Sequence, residues 1–129
     1  MIQVYQTVYG EDSSAYIMAR VMRKNSSHAM VAVVAADMSS IIRNVYQTDG
    51  SMLVLGPTTL TVADVILSAL STGNIWTVDS TGFNFIDTIP TTAFPTGGAT
   101  YRVEYKFTLT GGEVFPLVVV GNAMALLAS

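Results

Sequence analysis

The side chains best suited to chemistry crowd into Trp76-Thr77-Val78-Asp79-Ser80-Thr81-Gly82-Phe83-Asn84-Phe85, which holds three aromatics, a carboxylate and a carboxamide. With Asp87 just downstream, Asp79, Thr81 and Asn84 offer oxygen ligands around Gly82, the donor type that calcium prefers. The spacing is not that of a calcium loop, which alternates carboxylates ahead of its glycine and closes on a bidentate glutamate. A tight turn explains the same residues more simply, with Asp at its first position and Gly at its last. The flanking aromatics Trp76, Phe83 and Phe85 then fill a core or anchor an interface. The stretch therefore reads as scaffold, with no metal and no cofactor expected; Asp79 and Asn84 are the residues a cation would use.

Elsewhere the ingredients of catalysis are sparse. His28 is the one histidine, set in the turn Asn25-Ser26-Ser27-His28. A histidine base needs a nucleophile and an orienting acid within hydrogen-bond reach, and the nearness of Ser26, Ser27 and Asp37 in sequence does not supply that geometry. Glu11 and Asp12 are adjacent, so on extended chain they point apart. The remaining acids, Asp37, Asp49, Asp64, Asp79, Asp87, Glu104 and Glu113, read mostly as solvated turn or cap residues. Gly97-Gly98 and Gly111-Gly112 have neither the spacing nor the following helix of a phosphate loop. The absence of cysteine removes disulfides, thiolate metal sites and thiol nucleophiles. No catalytic residue is expected, and the chain reads as a non-enzyme.

The balance of 6 basic to 9 acidic side chains gives a net charge of −3, and Arg20, Arg23, Lys24, Arg43, Arg102 and Lys106 are scattered. A phosphate-facing patch is not indicated, so no nucleic-acid partner is expected. Charged residues are 12% of the chain and apolar residues 50%, where about 25% charged is usual. That composition suits a protein whose surface is partly covered by other protein. The longest apolar run, Val114 to Ala128, contains Pro116, Gly121 and Asn122 and falls short of the roughly 20 residues a spanning helix needs. No membrane segment and no secretory signal are expected, and both ends are expected to dock on the domain or a neighbour.

The elements that must position these residues are mostly strands. In Tyr101-Arg102-Val103-Glu104-Tyr105-Lys106-Phe107-Thr108-Leu109 the apolar side chains share one face and the polar ones the other. Gly111-Gly112 then turns the chain into Val114-Phe115-Pro116-Leu117-Val118-Val119-Val120, predicting a hairpin. That second arm is apolar on both faces, and Pro116, having no N–H, belongs on an edge or a bulge. Further strands are predicted at 2–8, 15–22, 29–35, 39–47, 53–55, 75–78 and 83–89, separated by turn clusters. Val62, Val65, Ile66, Ala69 and Leu70 fall at helical spacing behind a Thr61/Asp64 capping pair, ahead of Gly73-Asn74. One short crossing helix is expected there, although the β-branched residues leave a strand reading open. The fold class is thus all-β, an antiparallel β-sandwich with one short helix, in a single domain over 1–129.

The string from Leu60 through Leu109 resembles small structural proteins encoded among bacteriophage virion genes. The match rests on Trp76, Asp79, Thr81-Gly82-Phe83-Asn84-Phe85, Phe94-Pro95 and Tyr101-Arg102-Val103-Glu104-Tyr105. The resemblance implies an immunoglobulin-like sandwich located in the virion of a tailed phage, foremost a capsid decoration or cement protein. A neck, tail or baseplate component is the alternative. Implied partners are the major capsid protein or other virion structural proteins, with several copies in one assembly. A surface adhesion or carbohydrate-binding sandwich is the reading from a different class, and Tyr5, Tyr9 and Tyr16 are its candidate aromatics. On the packing reading, the expected interface residues are Phe94, Pro116, Val118, Val120, Met124, Leu126 and Leu127, from a loop tip and the apolar C-terminal run.

Overall fold

The computed structural model describes residues 1–9, 15–47, 52–73, 76–90, 93 and 99–122. Its centre is the strand with the clearest alternation, β8 (Thr100–Leu109), in which Tyr101, Val103, Tyr105, Phe107 and Leu109 are all buried. On one side β8 pairs with β4 (Met38–Gln47), and on the other with β9 (Val114–Asn122). The expected hairpin is present: Gly112 N donates to Leu109 O (2.9 Å), Leu109 N to Glu113 O (2.8 Å), and Gly112 sits at φ +93°. This is a turn closed by a glycine bulge, a position where a Cβ is disfavoured.

Among the described residues the strands form two antiparallel sheets. The first runs β1 (Ile2–Tyr9), β2 (Ala15–Lys24), β7 (Phe83–Ile89), β6 (Ile66–Ser71), with the short β3 (Met30–Ala32) also on β2; the second runs β5 (Met52–Thr59), β4, β8, β9. First-second-seventh-sixth facing fifth-fourth-eighth-ninth is the strand order of an immunoglobulin-like sandwich. The core lies between the sheets. Ile17, Ala19 and Val21 of β2 meet Ile41 and Val45 of β4 there, and Phe85 packs edge-on to Tyr105 (5.3 Å) and Phe107 (5.1 Å). Phe107 in turn stacks on Phe115 at 5.2 Å.

Several local expectations change. The helix predicted over 62–70 is a single turn, α1 (Val62–Val65), after which Ile66 becomes extended and β6 begins. Thr61 caps only through its carbonyl, which accepts Asp64 N, and no side-chain cap bond forms. The β-branched residues resist helix extension, while pairing of Ile66 with Phe85 and Ser71 with Phe83 gives the backbone a ladder instead. The strand expected at 75–78 is absent over Trp76–Val78, which is a loop. The strand expected at 29–35 shortens to Met30–Ala32, because a 3-10 turn, Ala35–Asp37, follows. The strand at 53–55 lengthens to Met52–Thr59 along β4. Met22 N donates to Met1 O, which ties the first residues to β2; residues 123–129 lie outside the described residues.

Candidate functional site

The stretch 76–82 folds back over the outward face of the first sheet. On β2 the residues facing the core are Ile17, Ala19 and Val21, so Met18 and Arg20 project to the opposite side, and both are nonetheless buried. Trp76 and Phe83, with ring centroids 5.3 Å apart, close over Met18, with Val4, Leu67 and Ile86 at the margin. Arg20 grips Asp79 with two nitrogens: Nη2 lies 2.8 Å from Oδ2, and Nη1 lies 3.2 Å from Oδ1. Asp79 Oδ1 also accepts Trp76 Nε1, Thr81 N and Gly82 N. The Arg20 guanidinium, followed by the Gly82 N–H, holds the Asp79 carboxyl well below the usual carboxylate range. Both carboxylate oxygens are thus committed to donors, one of them a full positive charge.

The four oxygen ligands considered for a cation have no common centre. Asn84 Oδ1 accepts Val21 N (2.7 Å), and its Nδ2 donates to Val21 O (2.9 Å) and Val33 O (2.8 Å). Its carboxamide thereby replaces ladder bonds where β2 leaves β7 and turns toward residue 33. Asp87, three residues further on, projects to the opposite face of β7. Among the described residues no three His, Cys, Asp or Glu side chains come together to hold a metal.

Asp87 also corrects the expectation of solvated acids. It is buried within the sandwich, where Oδ2 accepts Arg43 Nη1 at 2.6 Å and the Tyr105 hydroxyl at 2.7 Å. Burial, reinforced by the Asp87 charge, pushes the Tyr105 phenol well above its ordinary value. Arg43 Nε has no hydrogen-bond partner. Arg43 and Asp87 line a cleft of about 430 Å³ together with Thr59, Thr61, Asp64 and Thr88. A carboxylate taken up by a guanidinium and a phenol is neither a free base nor a free acid, so this constellation joins the sheets.

The other sequence candidates are dispersed. His28 is exposed at φ +63°, in a turn where Asn25 Oδ1 accepts Ser27 N and Ala29 N. Tyr5 stands opposite core-facing Ala19, while Tyr16 adjoins Ile17 on the other face of the sheet, so the two do not form one stacking platform. Among the described residues no helix is long and apolar enough to cross a membrane.

The interface residues expected on β9 are all at the surface. Phe115, Leu117 and Val119 turn inward, and the alternate row Val114, Pro116, Val118 and Val120 turns outward, with Val114 51%, Val118 43% and Val120 59% exposed. β9 is the outer strand of its sheet, as Pro116 required. Phe94, Met124, Leu126 and Leu127 lie outside the described residues. Across β8 the outward neighbours are Arg102, Glu104 and Lys106, paired with Val120, Val118 and Pro116. The class defined by fold and surface is an immunoglobulin-like antiparallel β-sandwich with an apolar row on one outer strand. Compared with known proteins, the chain matches no family model, no curated protein and no solved structure.

Proposed function

We propose that this chain is a non-enzymatic structural protein of a tailed-phage virion, foremost a decoration or cement protein of the capsid shell. The observation that carries the reading is the outward row Val114, Pro116, Val118 and Val120, an apolar ridge on an outer strand of a protein with little charge to spend. Large apolar side chains held at a surface gain stability when a partner covers them. Its partners are the major capsid protein or other virion structural proteins, and binding proceeds by side-chain packing, without chemistry. A neck, tail or baseplate position is the second placement; copy number separates the two, being comparable with the shell subunits in one case and a handful in the other.

The test is an immunoblot of gradient-purified virions from the source of the sequence. The wild-type chain should be present, and a Val118→Glu/Val120→Glu variant should keep its circular dichroism and melting temperature but be lost from the particles. A chain absent from purified particles, or a double variant that is incorporated equally, overturns the reading.

A further inference from the structure

The place where β6 gives way to the helical turn is lined by charge. β6 pairs with β7 at Ile66 and Phe85, and continuing that antiparallel ladder back along the chain would set Asp64 directly opposite Asp87. Like charges so placed repel. The chain instead makes the turn α1 (Val62–Val65), and the cleft of about 430 Å³ lies there, with Asp64 and Val65 contributing from the turn and Ile86, Asp87 and Thr88 from β7. Its volume falls within the roughly 300–1,000 Å³ of small-molecule sites.

The lining residues divide into a floor and a rim. Arg43 and Asp87 are buried, each 5% exposed, whereas Thr59, Thr61, Asp64 and Thr88 are exposed. The floor is incomplete. Asp87 Oδ2 is taken by Arg43 Nη1 and the Tyr105 hydroxyl, but Arg43 Nε is buried and meets no acceptor among the described residues. Buried donors are nearly always paired, either within the protein or with a molecule held from solvent. A guanidinium N–H left over in a residue that lines a cleft calls for an oxygen from that cleft.

The lining also selects which oxygen. An anion would meet Asp64 and Asp87, two carboxylates against one guanidinium. An organic cation would meet the Arg43 charge and find Asp87 Oδ2 already accepting two donors. An apolar molecule would strip water from three threonine hydroxyls and a charged floor without replacing its hydrogen bonds. A neutral hydroxyl fits every position, because it accepts from Arg43, donates to Asp64 and does either with a threonine. Leu60 and Val65 add apolar surface for the C–H groups of the frame that carries such hydroxyls. We infer that this cleft binds a neutral polyhydroxylated ligand the size of one sugar ring, with Arg43, Asp64, Thr59, Thr61 and Thr88 as its hydrogen-bonding set. The inference rests on the cleft alone and does not depend on the particle the chain serves.

The test is titration of the isotope-labelled full chain with glucose, galactose and mannose, read by nuclear magnetic resonance at the amides of Thr59, Thr61 and Thr88 and at the side-chain Nε–H of Arg43. At least one sugar should move these resonances together and saturably, with a dissociation constant between about 0.1 mM and about 10 mM, the strength open to a ligand of so few atoms. Asp64→Ala, which keeps the backbone bond from residue 64 to Thr61 O, and Thr59→Val/Thr88→Val should each weaken binding at least about fivefold. Because these side chains are exposed, the melting temperature should stay that of the wild type. Inorganic phosphate and ethylammonium should leave the resonances in place. No saturable shift with any of the sugars up to about 100 mM would leave the cleft to water and overturn the inference. So would a tighter response to phosphate or ethylammonium than to any sugar, or sugar binding that both variants leave unchanged.

Discussion

Arg43 Nη1 and Asp87 Oδ2 lie 2.6 Å apart between the two sheets, with both side chains 6% exposed. The Tyr105 hydroxyl completes the group, donating to the same Asp87 oxygen at 2.7 Å. Removing one partner of such a pair costs about 3–5 kcal/mol, because the survivor is left buried and uncompensated. Arg43→Met alone and Asp87→Leu alone should each lower stability by that amount in urea unfolding. The double variant, with Tyr105→Phe added so that no hydroxyl is orphaned, should recover most of the loss. A triple variant as unstable as the singles would mean that the pair contributes more than mutual compensation.

Among the described residues, two carboxylates with lowered pKa values tie stability to acid pH. The Arg20 guanidinium holds Asp79 far below its ordinary value of 3.8, and the Val34 backbone N–H, ahead of Arg23, lowers Asp37 from the same value. Both folded carboxyls release their protons more readily than the unfolded ones, so the stability they add is complete above that value. It is lost as pH falls below 3.8 toward the depressed folded values. An Asp37→Asn/Asp79→Asn variant should be less stable at neutral pH, with an unfolding midpoint that changes less than the wild type's between about pH 4 and pH 2. An unchanged slope across that window would remove both residues from the acid response.

Much of the architecture could be read from local pattern, and the failures have physical causes. Alternation in Tyr101–Leu109 placed β8 correctly because its two faces meet different solvents. Helical spacing over 62–70 is also compatible with a strand, and pairing with β7 decides between them beyond Val65. The inward position of Asp87 is legible in the strand pattern. It shares parity with Phe85 and Ile89 on β7, as Arg43 does with Ile41 and Val45 on β4, so two opposite charges stood at inward positions. Burial of Arg20 left no such mark, because it faces outward and is covered by a loop 59 residues away in sequence.

Asn84 acts as a piece of backbone. Its carboxamide serves Val21 N, Val21 O and Val33 O, all within the buried interior. Asn84→Ala should cost about 2–4 kcal/mol, since an orphaned buried polar group costs about 1–3 kcal/mol. Asn84→Asp should be at least as damaging at neutral pH: it keeps the acceptor for Val21 N but sets a carboxylate against two carbonyl oxygens. Chemical denaturation of both variants tests this, and an Asp variant as stable as the wild type would show that the donors do not matter.

Gly82 and Gly112 both have positive φ, +100° and +93°, but only one is enclosed. A Cβ at Gly82 would fall 2.3 Å from the Ser71 carbonyl oxygen, whereas nothing lies within 4 Å of a Cβ at Gly112. Gly112→Ala therefore carries the conformational penalty alone, about 1 kcal/mol. Gly82→Ala adds a collision with the backbone of β6, which must shift the loop that carries Asp79 and Trp76, and should cost more than about 3 kcal/mol. Trp76 is the one tryptophan and is 6% exposed, so its emission reports the loop directly. A red shift is expected in Gly82→Ala and none in Gly112→Ala. Equal costs with unchanged emission in both would mean that the loop packs on the first sheet without the close approach of residues 71 and 82.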